Sequence, residues 1–202
     1  MKKMENQGVE HLRKGVMDTL NGRRLLRFAY LPLSRVLILV LMAKVCSGQV
    51  ADEYEVKAAF LYNFTKFVEW PQTSEPSQAF AICILGDDPF ESTIDRLTAG
   101  KTVSGRALQI RRIKEPADFK QQCQIVFVGA SEKSKAAKLI EATRGTPVLT
   151  VGESREFLRL GGMVFLSTES DHVSVVINAA ATQSANLKVS AKLMTLATVF
   201  KP

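Results

Sequence analysis

Histidine, cysteine and paired carboxylates could do chemistry in this chain, and they are few. Histidine occurs twice, and only His172 lies beyond the first 48 residues. Two cysteines, Cys83 and Cys123, lie in the same part, and no Cys-x-x-Cys spacing occurs. A zinc site built mainly from histidine is therefore excluded. The glycine-rich phosphate-binding patterns and the Gly-x-Ser-x-Gly pattern of hydrolases are also missing, so we expect no catalytic residues, no metal and no cofactor.

Three polar residues in apolar surroundings are the candidate ligand-binding residues. Asp87 and Asp88 follow an apolar strand, and ligands of open α/β sheets bind outside the carboxyl ends of strands. A carboxylate pair there could hold a cation or an amine. The alternative is that one of them caps a helix beginning at Pro89. Asn178 either binds backbone groups or lines a pocket.

Two further features have a functional and a structural interpretation. Gly161 and Gly162 could form a backbone site for an anion, but a tight turn from helix to strand is the simpler explanation. His172 follows Asp171 at the start of a predicted strand. That position favours a surface residue over a catalytic base.

The basic charge belongs to the N-terminus. Residues 1–48 contain nine Lys or Arg and three acids, so they account for +6 of the net charge of +7. The rest of the chain is nearly neutral, which gives no electrostatic indication of nucleic-acid binding. An unbroken apolar run, Val36–Ala43, follows Arg23, Arg24, Arg27 and Arg35 and precedes Cys46-Ser47-Gly48. This order predicts a secretory signal peptide over residues 1–48, with a membrane anchor or a lipidated Cys46 as weaker alternatives.

Residues 52–202 are predicted to form a single domain in which strands and helices alternate. The first helix, Glu53–Trp70, carries a stripe of Val56, Phe60, Asn63/Phe64, Phe67 and Trp70, which we interpret as the face that packs on a sheet. Continuous apolar strands such as Phe80–Leu85 and Gln124–Val128 follow, each succeeded by a helix. The pattern predicts an α/β fold: a mostly parallel sheet with helices on both faces, in a three-layer sandwich.

Eight segments, in order and spacing, resemble the YfiR-like family over essentially all of residues 53–202. They are EYEVKAAFLYNFTKFVEWP, ICILGDDPF, GKTVSGR, CQIVFVG, PVLTVGES, FLRLGGMVFL, VVINAAA and LKVSAKLMTLA. The resemblance implies a periplasmic α/β protein that is not an enzyme. Its best-known members repress a membrane-bound diguanylate cyclase by docking on that enzyme's periplasmic sensor region.

The same resemblance implies the partners. We expect the periplasmic domain of an inner-membrane signalling protein, a diguanylate cyclase or a sensor kinase, and leave a homodimer open. The alternative is a periplasmic small-molecule-binding sensor protein that acts with a sensor kinase or an outer-membrane receptor. A second cysteine pair, which some members carry near the PVLTVG segment, is missing here. Redox switching that depends on that pair is therefore in doubt for this chain.

A disulfide between Cys83 and Cys123 is the remaining expectation. Both residues lie in or beside the two most apolar strand segments, and neighbouring strands are about 4.8 Å apart, which a disulfide can bridge. The family pattern and an oxidising compartment both favour the bond. The alternative is two separate buried thiols. The bond requires Cys83 to lie opposite the start of the second strand.

Overall fold

The computed structural model of the chain describes residues 53–71, 79–119, 122–169 and 172–201. The predicted signal peptide, residues 1–48, lies outside the described residues. Within them, no helix is both long enough and apolar enough to cross a membrane.

The first helix, α1, covers residues 53–67 and packs on the core by most of the predicted stripe, with Phe64 buried and Phe60 and Phe67 partly buried against the same cluster. Its buried positions are three or four residues apart and include Ala58, Leu61 and Phe64. Val56, a member of the predicted stripe, is 39% exposed instead. The buried face also contains Lys57, which is 3% exposed. A hydrophobicity pattern treats lysine as a surface residue, so the prediction included Val56 in the packed face and left out Lys57.

In the described part of the chain, ten short strands form two sheets. They are β1 (Val68–Glu69), β2 (Phe80–Leu85), β3 (Thr102–Val103), β4 (Arg106–Ile113), β5 (Ile125–Val128), β6 (Leu149–Gly152), β7 (Val164–Glu169), β8 (His172–Ile177), β9 (Lys188–Val189) and β10 (Thr198–Val199). Eight of them form one sheet in the order β10-β8-β7-β6-β5-β2-β4-β3. The other two, β1 and β9, pair with each other antiparallel.

The large sheet is mixed, which corrects the prediction of a mostly parallel sheet. The central strands β4, β2, β5, β6 and β7 run parallel. Strand β8 returns antiparallel to β7, and β3 is antiparallel to β4. Only two residues separate β7 from β8, and so short a connection can join antiparallel strands only. The α/β class is confirmed, while the three-layer arrangement stays a prediction.

The remaining helices are short and connect the strands. They are α2 (Thr93–Thr98), α3 (Lys133–Ala142), α4 (Arg155–Arg159), α5 (Ala179–Ser184) and α6 (Ala191–Leu196), with 3₁₀ turns at Pro116–Phe119 and Ala130–Glu132. The Ser154 hydroxyl caps α4 by accepting the Phe157 N–H at 3.2 Å. The sequence also predicts a closing helix over Ser190–Phe200, but α6 ends at Leu196 and the chain enters β10.

Apolar side chains pack on both faces of the central strands. Along β2, Ile82 and Ile84 join a cluster that includes the buried face of α1. The alternate residues of β2, among them Cys83, join a second cluster with Leu139 of α3 and Phe157 of α4. A strand buried on both faces must be apolar at every position, which explains the unbroken run FAICIL.

Gly161 and Gly162 form the tight turn between α4 and β7. Gly161 has φ +104°, and a Cβ on Gly162 would lie 2.3 Å from the Phe157 ring. The Gly162 N–H donates to the Phe157 carbonyl at 2.9 Å, and the Gly161 N–H donates to Leu158 at 3.0 Å. Both N–H groups are thus used within the protein, which supports the turn over the anion site.

Candidate functional site

The carboxyl edge of the parallel strands is where polar residues of the sheet gather. Asp87 and Asp88 follow β2, Glu132 follows β5, and Glu153 follows β6. Parallel strands bring these connections to one edge of the sheet. Helix α1 runs over this edge with its N-terminal end, because Tyr54 and Lys57 both contact Glu153.

Lys57 and Glu153 form a buried charge network at this edge. Their side chains are 4% and 3% exposed. The Lys57 ammonium binds the carboxylates of Glu53 and Glu153. The second oxygen of Glu153 accepts the Ala130 N–H at 2.7 Å and the Tyr54 hydroxyl at 3.4 Å. The network therefore ties α1 to the loops after β5 and β6.

The network also shifts the pKa values of two of its members. Burial, together with the charges of Glu153 and Glu53, raises the pKa of the Tyr54 hydroxyl far above its ordinary value. Burial also acts to raise the pKa of Glu53, but hydrogen bonds from Lys57 and Thr168 and the Lys57 charge outweigh it, so that pKa is lowered. A neutral phenol and an ionised carboxylate are therefore kept over the physiological range, which suits a fixed structural network.

The two aspartates after β2 differ: the Asp88 side chain is hydrogen-bonded within the protein, and Asp87 is exposed. Asp88 accepts the Phe90 N–H at 2.8 Å and the Arg112 Nε–H at 2.8 Å. Asp87 is exposed, and its backbone N–H donates to the Glu132 carboxylate at 3.4 Å. Helix α2 begins at Thr93, so Asp88 closes a turn before the helix, which corrects the predicted capping role. Arg112 also binds Asp95 and lowers the pKa of that carboxyl.

Asn178 lies far from the aspartates in the fold. Because β8 is antiparallel to β7, its carboxyl end lies at the amino edge of the parallel strands. There the Asn178 N–H donates to the Met163 carbonyl at 2.8 Å, and its side-chain oxygen accepts the Ala181 N–H at 3.1 Å. The structure thus places Asn178 at the cap of α5 and does not bring the three candidate residues into one site.

Cys83 and Cys123 form the expected disulfide, with their Cα atoms 5.8 Å apart. The register differs from the one expected, because Val126 is the residue of β5 that lies beside Cys83. Cys123 precedes β5, in the turn after the 3₁₀ helix, and its sulfur joins the cluster of the second face. The bond therefore connects β2 to the turn that precedes β5, and it does not join two residues that face each other in paired strands.

Two open clefts flank Trp70 at the amino edge of the sheet. The larger has a volume of about 760 Å³ and is lined by Glu69, Trp70, Pro71, Gln183, Asn186, Leu187 and Lys188. The other, about 670 Å³, is lined by Thr65, Lys66, Val68, Glu69, Trp70, Pro71, Phe80, Val103, Ser104 and Arg106. Sequence reasoning took Trp70 only as the end of a packed stripe and missed both clefts.

Trp70 itself is held by two contacts. Its indole N–H donates to the Gln124 carbonyl at 3.2 Å, and its ring meets Phe80 edge-on at 4.9 Å between centroids. Elsewhere, His172 is exposed at the start of β8, as predicted for a surface residue. Among the described residues, no cluster of His, Cys, Asp and Glu is suited to hold a metal ion.

Comparisons with known proteins place these features in a family. Residues 54–198 match the family described as YfiR/HmsC-like. A search of curated proteins found no match. A crystal structure of a conserved domain protein from Vibrio cholerae is similar with a TM-score of 0.45 and 13% identity, over 60% of this chain and 54% of that one.

A second solved structure overlaps with the chain to a similar extent. An ABC domain in complex with L-Trp from Streptococcus pneumoniae has a TM-score of 0.46 and 9% identity, over 60% of this chain and 55% of its own. The chain thus spans about half the length of the two solved structures. The family match covers most of the sequence, including the disulfide, the buried charge network and Trp70. The chain belongs to the YfiR/HmsC-like family.

Proposed function

We propose that this protein is an exported, non-enzymatic regulator that binds the periplasmic sensor region of a membrane diguanylate cyclase and represses it. The observation that carries the proposal is the match to the YfiR/HmsC-like family over residues 54–198. Members of this family are regulators, and membership is consistent with a periplasmic location. The partner and the direction of the effect are the parts that experiment must establish.

The geometry of the carboxyl edge supports a binding protein over an enzyme. Glu153 is occupied by Lys57 and by the Ala130 N–H, and Asp88 is occupied by Phe90 and Arg112. General acid–base catalysis needs a titrating group within reach of a substrate. Glu153 and Asp88 are instead bound by side chains and backbone N–H groups of the protein itself, so they stabilise the fold.

Gene deletion followed by complementation tests the regulatory role. Deleting the gene should raise cellular cyclic-di-GMP, and the full chain should restore the original level. A chain that starts at residue 49 behind a single Met should fail to restore it, because it would not be exported. Unchanged cyclic-di-GMP on deletion, together with no membrane protein co-purifying with the exported chain, would reject the proposed partner.

Export itself has a direct measurement. Intact-mass analysis of protein from the periplasmic fraction should show a chain that begins near Gln49, since Cys46 and Gly48 occupy the two small positions before that point. Full-length protein confined to the cytosol would contradict the proposed location. The exported protein should also show no hydrolase, transferase or metal-dependent turnover. A turnover that survives repurification and is lost in Asp87→Asn, Asp88→Asn or His172→Ala would overturn the non-enzymatic assignment.

The second candidate function is a periplasmic small-molecule sensor that acts with a sensor kinase or an outer-membrane receptor. The two clefts beside Trp70 favour it, because each falls in the size range of small-molecule sites. Trp70 is the only tryptophan, so its fluorescence reports on both clefts. A metabolite that shifts this fluorescence saturably and raises the melting temperature would support a sensor, and kinase output in place of cyclic-di-GMP would then identify the partner class.

A further inference from the structure

Strand β4 is paired along the whole of one side and only in part along the other. On one side, β2 pairs with it from Leu108 to Ile113. On the other side, β3 pairs with Arg106 and Ala107, and the Leu108 N–H donates to the Lys101 carbonyl at 2.9 Å. Beyond Leu108, none of the described residues pairs with this outer side. A strand edge without a neighbour is a template on which a further strand can pair.

The direction of the backbone groups identifies what this edge presents. The Gly86 N–H donates to the Ile113 carbonyl at 2.8 Å, so the backbone groups of Ile113 face β2. The N–H and C=O groups of successive strand residues point to opposite sides, so those of Ile110 and Arg112 face outward, as those of Leu108 do. The unpaired edge, as defined here, consists of the N–H and C=O groups of Ile110 and Arg112.

The hairpin that carries the unpaired edge is strongly basic. Residues 101–114 contain five Lys or Arg and no acid, although the chain beyond residue 48 has a net charge of only +1. Lys101 and Lys114 are exposed at the two ends of this segment. A second copy of the same edge would bring like charges together, which disfavours pairing between copies. An acidic strand is attracted by the same charges.

The side chains on the two faces of β4 differ in what they offer to such a strand. Two carboxylates already bind Arg112. The Arg111 guanidinium instead donates to the uncharged side chains of Gln109 and Gln122, which do not neutralise it. Ile110 lies on the opposite face from Arg111 and is partly buried against the core. An added strand therefore gains most from acidic residues on the Arg111 face and apolar residues on the Ile110 face.

We propose that the unpaired edge of β4 binds an extended acidic segment of a partner protein, which adds a strand to the large sheet. The segment alternates acidic and apolar residues. Its backbone hydrogen bonds supply the affinity, and its alternate side chains supply the specificity. Recognition depends on this chemistry and not on which protein supplies the segment.

Amide hydrogen exchange, followed by NMR on isotope-labelled protein from the periplasmic fraction, tests the edge residue by residue. In the free protein, the N–H groups of Ile110 and Arg112 should exchange roughly tenfold or more faster than that of Arg111, which faces β2. A saturating amount of the peptide acetyl-EVEVEVE-amide should slow exchange at Ile110 and Arg112 roughly fivefold or more. Slow exchange of both groups in the free protein, or no slowing with the peptide, would overturn the proposal.

Control peptides separate strand pairing from a general attraction between opposite charges. Binding is measured by fluorescence anisotropy of the labelled peptide at about 150 mM salt, where the attraction between distant charges is screened. Acetyl-KVKVKVK-amide, and acetyl-EVEVEVE-amide N-methylated at every residue, should each bind roughly tenfold or more weakly than the acidic peptide. Equal binding of the N-methylated peptide would show that no strand forms, and equal binding of the basic peptide would show that charge does not select the segment. Either result would overturn the proposal.

Two protein variants with the same change of charge locate the binding surface. Arg111→Glu should weaken binding of the acidic peptide roughly fivefold or more, because it places a like charge beside the added strand. Lys138→Glu, at an exposed position of α3, should weaken it less than about twofold. Unchanged melting temperatures verify that both variants fold. Equal losses in the two variants would place the peptide elsewhere and overturn the proposal.

Discussion

The two edges of the central sheet are held together by different interactions. The carboxyl edge is closed by charge, since Lys57 of α1 binds Glu53 and Glu153, and Arg112 binds Asp88. The amino edge is held by the Trp70 ring, by the Cys83–Cys123 disulfide and by capping bonds, and it keeps two open clefts. Ligands of open α/β sheets usually bind at carboxyl ends. Here α1 occupies that edge, so the open surface lies at the opposite one.

The largest expected effect comes from breaking the charge network at the carboxyl edge. Lys57→Met should lower the free energy of unfolding by about 3–5 kcal/mol, because it leaves the buried Glu153 carboxylate without its counter-charge. Lys66→Met, on the exposed side of the same helix, should cost less than about 1 kcal/mol. Urea unfolding followed by circular dichroism measures both.

A double variant distinguishes loss of the ion pair from loss of packing. Lys57→Met combined with Glu153→Gln removes both charges and should recover part of the stability lost in the single variant. Equal losses in Lys57→Met and Lys66→Met would show that the carboxyl edge is not held by the buried charge.

Removing the disulfide tests the amino edge in the same way. Removing it in Cys83→Ala/Cys123→Ala should cost up to about 4 kcal/mol, because the bond closes a loop across a sequence separation of 40 residues. Reductant should lower the melting temperature of the wild type and leave that of the double variant unchanged. Thiol titration of denatured, unreduced protein from the periplasm should find neither cysteine free. Two free thiols would contradict the bond.

Trp70→Phe should have a smaller effect at the same edge. The change removes the indole N–H and leaves the Gln124 carbonyl without that donor, which should cost about 1 kcal/mol. Tyr62→Phe is the matched control, since the Tyr62 hydroxyl forms no hydrogen bond with another described residue. Circular dichroism is the readout, because the variant has no tryptophan. A loss of stability in Tyr62→Phe as large as in Trp70→Phe would show that the indole hydrogen bond does not stabilise this edge.

The smallest expected effect is a pH dependence that arises from Glu53. Its pKa is lower in the folded protein than its ordinary value of 4.5, so the stability it contributes is present above that value. This contribution is lost as the pH falls through the folded pKa. The urea midpoint should therefore decline less between about pH 5 and pH 3 in Glu53→Gln than in the wild type. Glu55→Gln, exposed on the same helix, serves as the control and should follow the wild-type curve.

Long elements with a strong pattern could be predicted from the sequence, and very short ones could not. Strand β2 has the predicted bounds, Phe80–Leu85, because both of its faces are buried and every position is apolar. Strands β1, β9 and β10 have two residues each and carry no detectable period. At the C-terminus, pairing with β8 decides the structure: the Phe200 N–H donates to the Ile177 carbonyl at 2.8 Å, and the helix predicted there ends early.

The candidate site shows a similar division. The Asp87–Asp88 pair was correctly placed after a strand, and for Asn178, whose two interpretations the sequence left open, the structure shows a bond to a backbone group. Nothing in the sequence shows the direction of β8, which puts Asn178 at the other edge of the sheet from the aspartates. The clefts beside Trp70 were also missed, because they form between α1, β3 and the α5–β9 connection, which lie far apart in the sequence.

The sequence alone was enough to determine the family and the α/β class and to favour the pairing of the two cysteines, because each depends on residue types in a fixed order. Only the tertiary structure decided which buried positions are polar. Lys57 and Glu153 are 96 residues apart, and each taken alone has the pattern of a surface charge. A charge can be buried only when its counter-charge is buried beside it, and that condition is met through the packing of α1 over the end of β6.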